Sequence, residues 1–175
     1  MRFLSYISNM TKNLDESGLK SIVNSYDLFF IDIWGVVHNG INLNKTSIEV
    51  LENLSNLNKE FVLLTNAPRP NITVINFLEK MGLNKIFFDN VFTSGEAALK
   101  YLIKDLNNEK FFHIGPPRDF DLFKSFEENK VSNVDESDYL LCSGLFDDLD
   151  DLNYYKTLFI DHVSKKMICT NPDLV

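Results

Sequence analysis

One stretch decides the fold: Leu28-Phe29-Phe30-Ile31-Asp32-Ile33-Trp34-Gly35. Its apolar residues do not alternate cleanly with polar ones and a glycine-containing turn follows, which predicts a strand buried in a parallel sheet. Asp32 stands at the end of this run. In open α/β sheets ligands bind at the carboxyl ends of the strands, so a carboxylate here can meet a metal ion, a phosphate or a substrate. The alternative is structural, with Asp32 satisfying nearby backbone N–H groups.

Composition indicates a folded protein with an acidic surface. The chain has 175 residues, of which 45% are hydrophobic, and carries a net charge of −8. The negative charge argues against a nucleic-acid partner and against an anionic membrane surface. Without a signal peptide or a transmembrane stretch in the sequence, we expect a cytoplasmic location. Cys142 and Cys169 lie in apolar, strand-like contexts, which favours buried small hydrophobes over reactive thiols or a disulfide framework.

Predicted helices and strands alternate along the chain, which indicates an α/β fold with a parallel sheet and right-handed crossovers. Gly82 is a natural stop for the helix before it, and Ser94 is a candidate N-cap for the helix that follows it. Predicted strands cover 28–33, 61–64, 90–94, 110–114, 138–143 and 166–170, and predicted helices cover 14–24, 46–57, 71–81, 96–106, 121–129 and 153–164. We place a domain boundary after residue 105, which gives a first domain over 1–105 and a second over 106–175.

A second strand end supports a functional role for Asp32. The apolar run ending at Leu64 is followed by Thr65 and Asn66, and neighbouring strands would bring these two residues close to Asp32. A hydroxyl, an amide and the N–H groups of the turn after Asp32, that of Gly35 among them, suit the oxygens of a phosphoryl group. Each strand end is a weak signal alone, and together they favour function.

Four motifs in order resemble the haloacid dehalogenase superfamily. They are Asp-Ile-Trp-Gly-Val-Val at 32–37, Leu-Leu-Thr-Asn-Ala-Pro-Arg-Pro at 63–70, Thr-Ser-Gly-Glu at 93–96 and Thr-Asn-Pro-Asp at 170–173. The resemblance is closest to the subgroup with a large α/β cap, which includes NagD-like sugar and nucleotide phosphatases. It implies a Rossmann-like half-core followed by the first part of an α/β cap domain, and a small phosphorylated metabolite as substrate.

The resemblance also implies a role for each matching residue. Asp32 would be the nucleophile that takes the phosphoryl group as an aspartyl-phosphate, and it would bind Mg²⁺ as well. The backbone carbonyl of Trp34 would be a second metal ligand. Thr65 would hold a phosphoryl oxygen as a catalytic residue, with Asn66 in support.

The sequence departs from the family pattern in two places. Most phosphatases of the superfamily carry a second Asp two residues after the nucleophile, where it protonates the leaving group, and Trp34 occupies that position here. The family pattern also continues beyond Asn-Pro-Asp with the rest of the cap and a second core half. We therefore expect an N-terminal part of a longer protein that exposes strand edges and apolar faces and is catalytically incompetent, or nearly so.

Several residues are weaker candidates. Arg69 could contact an anionic substrate, although a turn-stabilising role is equally plausible. Asn171 and Asp173 end a strand of the second domain and could contact substrate, but turn chemistry explains them as well. His38 is more consistent with a hydrogen-bonding loop residue than with an acid or base, and His113 with a packed core residue. Arg118 and Asp119 are expected to form a local ion pair.

Two functional hypotheses remain in competition. The first is a Mg²⁺-dependent phosphatase, and the second is a non-catalytic protein of the same fold that binds a phosphorylated ligand. A generic nucleotide-binding module is disfavoured because no glycine-rich phosphate fingerprint is present. A phospho-accepting receiver domain fits poorly because no acidic pair precedes the first strand. Homo-oligomerisation is left open.

Overall fold

A computed structural model of the chain describes Leu14, residues 17–149 and residues 151–171. Within this part, six strands form two parallel sheets of three strands each. The elements of the first sheet are β1 (Leu28–Asp32), α1 (Lys45–Asn56), β2 (Glu60–Thr65), α2 (Asn71–Lys80) and β3 (Val91–Thr93). The elements of the second part are α3 (Ser94–Asp105), β4 (Phe111–Ile114), β5 (Tyr139–Cys142), α4 (Leu152–Asp161) and β6 (Lys166–Cys169). The predicted α/β class with parallel strands is confirmed.

In each sheet the strands lie side by side in the order of the sequence. β2 is therefore the central strand of the first sheet and β5 that of the second. Asp32 lies opposite Leu64, and Thr65 lies opposite Thr93. All three strands of the first sheet thus end at the same edge, where the sequence places its polar motifs.

The prediction that β1 is a buried strand is wrong. β1 is an edge strand, none of its residues is buried, and Phe30 is 67% exposed. Phe29 and Ile31 pack against the core, whereas Leu28 and Phe30 point away from it into solvent. Successive side chains of a strand point to opposite faces, so a run that is apolar throughout buries only the residues on the covered face.

The second sheet is covered on both faces. Phe111, Tyr139 and Leu141 belong to a cluster that also contains Leu102 of α3, and Ile114 and Leu140 belong to another cluster with two residues of α4. Alternate residues of β5 thus serve opposite faces, as the two-residue period of a strand requires. α3 packs into this second core although it lies before the proposed domain boundary at residue 105. The boundary itself remains a prediction.

Several local predictions need correction. Residues 17–24, the described end of the first predicted helix, and residues 121–129 do not form the predicted α-helices; short 3₁₀ turns occupy 19–21, 23–25, 117–122 and 124–129. The N-cap of α3 is Thr93 rather than Ser94, since Thr93 Oγ1 accepts a hydrogen bond of 2.8 Å from Glu96 N–H. The prediction that the helix ends at Gly82 is confirmed. Gly82 follows Met81, the C-cap of α2, and its φ of 94° lies in the left-handed region that favours glycine.

Other features concern the thiols and the membrane. Cys169 is exposed, so the prediction that both cysteines are buried is wrong; it lies on β6, an edge strand with little cover. Phe87 is buried in the first core and Phe88 packs against it. Within the described residues, no helix combines the length and the apolar character needed to cross a bilayer.

Candidate functional site

Asp32 lies where the predicted site requires it, at the carboxyl end of β1. Its Oδ1 accepts a hydrogen bond of 2.9 Å from its neighbour Ile33, whose N–H also lies 3.0 Å from the carbonyl oxygen of Leu64 on β2. The backbone therefore fixes the end of β1 against β2, one residue before Thr65. The Asp32 side chain is exposed, and its second oxygen, Oδ2, takes no part in this hydrogen bond with Ile33.

A tight loop follows Asp32 and folds back on the strand end. Gly35 N–H donates to the carbonyl of His38 at 2.8 Å, and the φ of 77° at Gly35 favours glycine. This N–H is engaged within the loop, which weakens the prediction that Gly35 binds phosphate. Trp34 is largely exposed and stands edge-on to the His38 ring, with ring centroids 5.1 Å apart. The indole also fills the space in which a side chain at Gly40 would lie.

His38 is a hydrogen-bonding loop residue, as the sequence predicts. Its ring is buried, and Nδ1 accepts a hydrogen bond of 2.9 Å from Gly40 N–H, so the neutral ring carries its proton on Nε2. Burial lowers the pKa of His38, and the nearby charge of Asp32 opposes this effect. A neutral imidazole is a poor acid for a leaving group because it would have to become an imidazolate. His38 is thus a weak substitute for the acid that Trp34 replaces.

The loop that follows Thr65 is fastened to the start of α3. Thr93 Oγ1 donates to the carbonyl of Arg69, and Thr93 N–H donates to Asn71 Oδ1 at 2.9 Å. Gly95 N–H donates to the carbonyl of Ala67 at 3.1 Å, and a Cβ at Gly95 would overlap the backbone of Arg69. The Thr-Ser-Gly-Glu motif at 93–96 thus has a structural role: it fixes the loop that carries the predicted phosphate-binding residues.

Thr65 and Asn66 lie at the start of this fastened loop. Thr65 is half-buried, and its Oγ1 accepts a hydrogen bond of 3.2 Å from Ala67 N–H. Asn66 is exposed. Thr65 lines a cavity of about 260 Å³, which we call the first cavity. The other residues around the first cavity are Ile33, Trp34, His38, Ala67, Arg69, Thr73, Val74 and Phe77.

Arg69 connects the two sheets. Its Nε lies 3.5 Å from Oδ1 of Asp119, which follows β4 in the second sheet. The predicted ion pair between Arg118 and Asp119 is wrong: Arg118 instead pairs with Asp147 at 2.6 Å. Neighbours in sequence project differently from a 3₁₀ turn, so Asp119 turns inward while Arg118 stays at the surface.

Asp119 is the last member of a hydrogen-bonded chain that sequence reasoning missed. Ser143 Oγ donates to Asp119 Oδ2 at 2.9 Å, and His113 Nε2 lies 2.9 Å from the same Ser143 oxygen. Since the single hydroxyl proton of Ser143 goes to the carboxylate, His113 donates from Nε2. A polar residue directly after a strand, as Ser143 is after β5, was the available signal, and it is the same signal that singled out Thr65.

Burial shifts the pKa values of this chain in opposite directions. Burial lowers the pKa of His113 to about 4, and the charge of Lys130 adds to the effect. Burial raises the pKa of Asp119, while Ser143 and Arg69 oppose the shift. Both shifts have the same physical cause, because removal of either group from water disfavours its charged form.

The carboxyl ends of the second sheet face the Arg69 loop across a cleft of about 540 Å³. Arg69, Asp119, Ser143 and Asn171 all line this inter-sheet cleft, as do Arg118 and Asp147. The Oδ1 atom of Asn171 is buried and finds no hydrogen-bond partner in the described part of the chain. Arg69 lines the first cavity as well, so it lies at both openings. Asp173, the remaining predicted substrate contact, lies outside the described residues.

A further cavity lies away from the strand ends. It measures about 700 Å³ and is lined by residues 17–20, Val23 and part of α1, with Lys20 as its only ionisable side chain. Its lining has no carboxylate, histidine or thiol, and Ser17 and Lys20 supply its only hydroxyl and amine. The strand ends are a better candidate despite their smaller volumes.

A metal site is only partly present. Among the described residues, no group of three or more His, Cys, Asp or Glu side chains could hold an ion. Asp32 and the Trp34 carbonyl supply hard oxygen donors, which Mg²⁺ accepts together with water and substrate phosphate. These donors fit a magnesium ion in kind, as part of its coordination shell. The structure brings Asp32, Trp34, Gly35, Thr65, Asn66 and Arg69 to one sheet edge, and their roles remain predictions.

Comparison with known proteins places the chain in a family. The family described as "Haloacid dehalogenase-like hydrolase" matches residues 29–127, which is more than half of the chain. No curated protein matches the sequence. A solved haloacid dehalogenase-like hydrolase from Brucella suis 1330 is 28% identical, with a TM-score of 0.74 over 89% of this chain and 58% of that one.

Two further structures are similar. A 4-nitrophenylphosphatase from Thermotoga maritima is 27% identical, with a TM-score of 0.63 over 87% of this chain and 57% of that one. A glycerol phosphate phosphatase from Mycobacterium tuberculosis, solved with calcium, is 20% identical, with a TM-score of 0.59 over 87% and 45%. The chain therefore spans less than two thirds of the length of each.

Proposed function

We propose, from the premise that this chain belongs to the haloacid dehalogenase-like hydrolase family, that it carries the nucleophile-bearing part of a Mg²⁺-dependent phosphatase. The substrate class is a small phosphomonoester, such as a sugar phosphate or a nucleotide, and the expected location is the cytoplasm. One observation carries the proposal: Asp32 and Thr65 stand at the ends of adjacent, registered parallel strands. The Thermotoga relative, a 4-nitrophenylphosphatase, supports the reaction class.

The chemistry follows from the positions of the side chains. Asp32 Oδ2 attacks phosphorus, the bond to the leaving oxygen breaks, and the phosphoryl group is carried on the carboxylate until water removes it. Thr65 Oγ–H donates to a phosphoryl oxygen and stabilises the charge that develops there. A divalent metal, when bound by Asp32 and the Trp34 carbonyl, would neutralise phosphate charge. Arg69 lies at the mouth of the first cavity, where it can meet the remainder of an anionic substrate.

A second candidate function is non-catalytic recognition of a phosphorylated ligand. Trp34 stands where the family commonly has its general acid. His38 is a poor replacement, because its neutral ring would have to become an imidazolate to give up the proton on Nε2. General acid–base help is worth roughly 10²–10⁴-fold in rate. A protein that keeps Asp32 and Thr65 without that acid could therefore bind phosphate and turn it over slowly or not at all.

The test is Mg²⁺-dependent phosphate release from a panel of phosphomonoesters by the complete protein in which this sequence occurs. Asp32→Asn should reduce the activity to background and abolish a hydroxylamine-sensitive phosphoryl-enzyme, and Thr65→Ala should reduce it about 10²-fold. Asp27→Asn, at the amino end of the same strand, is the matched control and should retain full activity. Full activity in Asp32→Asn would exclude the mechanism. Phosphate binding without turnover would favour the second candidate.

A further inference from the structure

The two cysteines of the chain meet at the carboxyl edge of the second sheet. Cys142 is the last residue of β5 and Cys169 the last of β6, and the two lie directly opposite each other in the parallel register. Neighbouring strands are about 4.8 Å apart. Disulfide-bonded cysteines have Cα atoms roughly 4.4–6.8 Å apart, so the backbone spacing is compatible with a crosslink. The residues are 27 positions apart in sequence, which hides the pairing from inspection of spacing.

The two thiols are neighbours on one face of the sheet. Residues opposite each other in register project from the same face, and Cys169 acts on the pKa of the Cys142 thiol as a neighbouring group. Each thiol donates to the carbonyl two residues further on: Cys142 to Gly144 at 3.6 Å, and Cys169 to Asn171 at 3.4 Å. Both strand ends thus have the same local geometry, which keeps the two sulfur atoms on the same face of the sheet.

The two sulfur atoms differ in access to solvent. Cys169 is exposed and Cys142 is half-buried. Burial raises the pKa of the Cys142 thiol to about 11, and the neighbouring Cys169 adds to the shift. A rise of two units above the ordinary value leaves on the order of 100-fold less thiolate at neutral pH. An oxidant from solvent therefore reacts first at Cys169.

We propose that Cys142 and Cys169 form a reversible intramolecular disulfide when the protein meets hydrogen peroxide. The Cys169 sulfur attacks one peroxide oxygen, the O–O bond breaks, and a sulfenic acid forms as water leaves. The Cys142 sulfur then attacks the Cys169 sulfur, the S–O bond breaks, and a second water leaves with the Cys142 proton. Two thiols are oxidised to one disulfide, and one peroxide is reduced to two waters.

The crosslink would act next to the inter-sheet cleft. Ser143 follows Cys142 directly, and Asn171 follows Cys169 by two residues; both line that cleft. Thr170 N–H donates to the Cys142 carbonyl at 2.9 Å, so the two strand ends are joined by backbone in the reduced protein already. A covalent bond at this point restrains the position of Ser143 relative to Asn171. Such disulfides in a reducing compartment are usually transient rather than structural.

The test is stoichiometric hydrogen peroxide on the purified full chain, followed by intact mass and a non-reducing gel. The wild type should become a monomer lighter by two hydrogen atoms and should revert with dithiothreitol. Cys142→Ala should stop at a sulfenic acid that dimedone traps. Cys169→Ala should react with peroxide at least about tenfold more slowly than Cys142→Ala, because only the high-pKa thiol remains.

A second measurement covers the case in which a variant folds poorly. The disulfide equilibrium in glutathione redox buffers gives the effective concentration of one wild-type thiol towards the other. This effective concentration should be at least roughly tenfold higher in the folded protein than in urea, because the fold holds the two thiols together. A lower value in the folded protein would overturn the proposal, as would a wild type that stops at sulfenic acid or forms only dimers between chains.

Discussion

The first sheet and the second sheet share strand number, direction and order, yet they are covered very differently. The second sheet has an apolar cluster on each face, and the outer edge of β4 is paired in part by Lys130 and Val131. The first sheet packs a single core cluster, and in the described part of the chain β1 pairs only with β2. Leu28 and Phe30 remain exposed on its other face.

This difference shows what an apolar strand can and cannot reveal. β1 is Leu-Phe-Phe-Ile-Asp and β4 is Phe-Phe-His-Ile, so the two have similar apolar content. None of β1 is buried, whereas three of the four residues of β4 are. Parallel sheets are normally covered on both faces, and their apolar strands reflect that requirement. The first sheet therefore has the composition of a two-sided sheet with cover on one side.

The largest predicted effect is on the second core. Phe111 is fully buried and stacks with Tyr139, with Phe123 and Phe126 also against its ring. Phe111→Ala should lower the free energy of unfolding by about 3–5 kcal/mol, measured by urea denaturation. Phe111→Leu retains more apolar volume and should lose less. A loss below about 1 kcal/mol for the alanine variant would mean that this core is not tightly packed.

The second prediction uses a histidine in each region. The pKa of His113 is about 4 in the folded protein, against an ordinary value of 6.5. As pH falls from 6.5 towards 4, the unfolded chain takes up a proton that the folded chain does not, so stability falls by about 3 kcal/mol. His113→Gln should remove this part of the acid destabilisation, measured as unfolding free energy at pH 7 and pH 4.

His38→Gln is the matched comparison. Burial lowers the pKa of His38 but Asp32 opposes the shift, so this variant should remove less of the acid sensitivity. Asp119 acts in the opposite direction. Its pKa is raised in the folded protein, so the folded state takes up a proton before the unfolded chain does as pH falls, and this uptake adds to stability. The contribution of His113 is therefore read as the difference between wild type and variant. Equal effects of the two histidine variants would contradict the assignment.

The third prediction concerns the fastening of the Arg69 loop. A methyl group at Gly95 would overlap the Arg69 backbone, so Gly95→Ala should cost about 1–3 kcal/mol in unfolding free energy. Gly144→Ala is the control in the second region, since its methyl group would meet only Pro116 at 3.4 Å. We expect the control to be near neutral. If both variants were neutral, the loop would not be held against α3 as described.

The smallest predicted effect is at the bare face. Phe30 is two-thirds exposed, so Phe30→Ala should change the unfolding free energy by no more than about 0.5 kcal/mol. The comparison with Phe111→Ala is direct, because both substitutions remove a phenyl ring from the first strand of a parallel sheet. A cost at Phe30 that approaches the cost at Phe111 would show that this face is covered in solution.

The sequence predicted the positions of the strands well, because runs of apolar residues between turn signals are local features. Residues 121–129 were mistaken for an α-helix, since apolar spacing does not distinguish an α-helix from successive 3₁₀ turns. The cap of α3 was missed by one residue, because Thr93 and Ser94 both have a capping hydroxyl and only the fold directs Ser94 towards Ala67 and Thr170.

The candidate site was predicted in part for the same reason. Asp32 and Thr65 are recognisable because each closes an apolar strand, and Arg69 lies in the loop that follows Thr65. The partner of Arg69 was not recognisable, because Asp119 is 50 positions away and its own neighbour Arg118 offered a simpler pairing. The contact between Cys142 and Cys169 depends on strand register, which a single sequence does not specify.

Arg69 has a consequence for motion within the molecule. Its backbone is tied to the first sheet through Ala67 and Thr93, and its guanidinium reaches Asp119 beside the second. A hinge movement that tilts one sheet away from the other must lengthen or break the ion pair between Arg69 and Asp119. In protein enriched with ¹⁵N, the Arg69 Nε resonance would therefore report on the angle between the sheets without an attached probe.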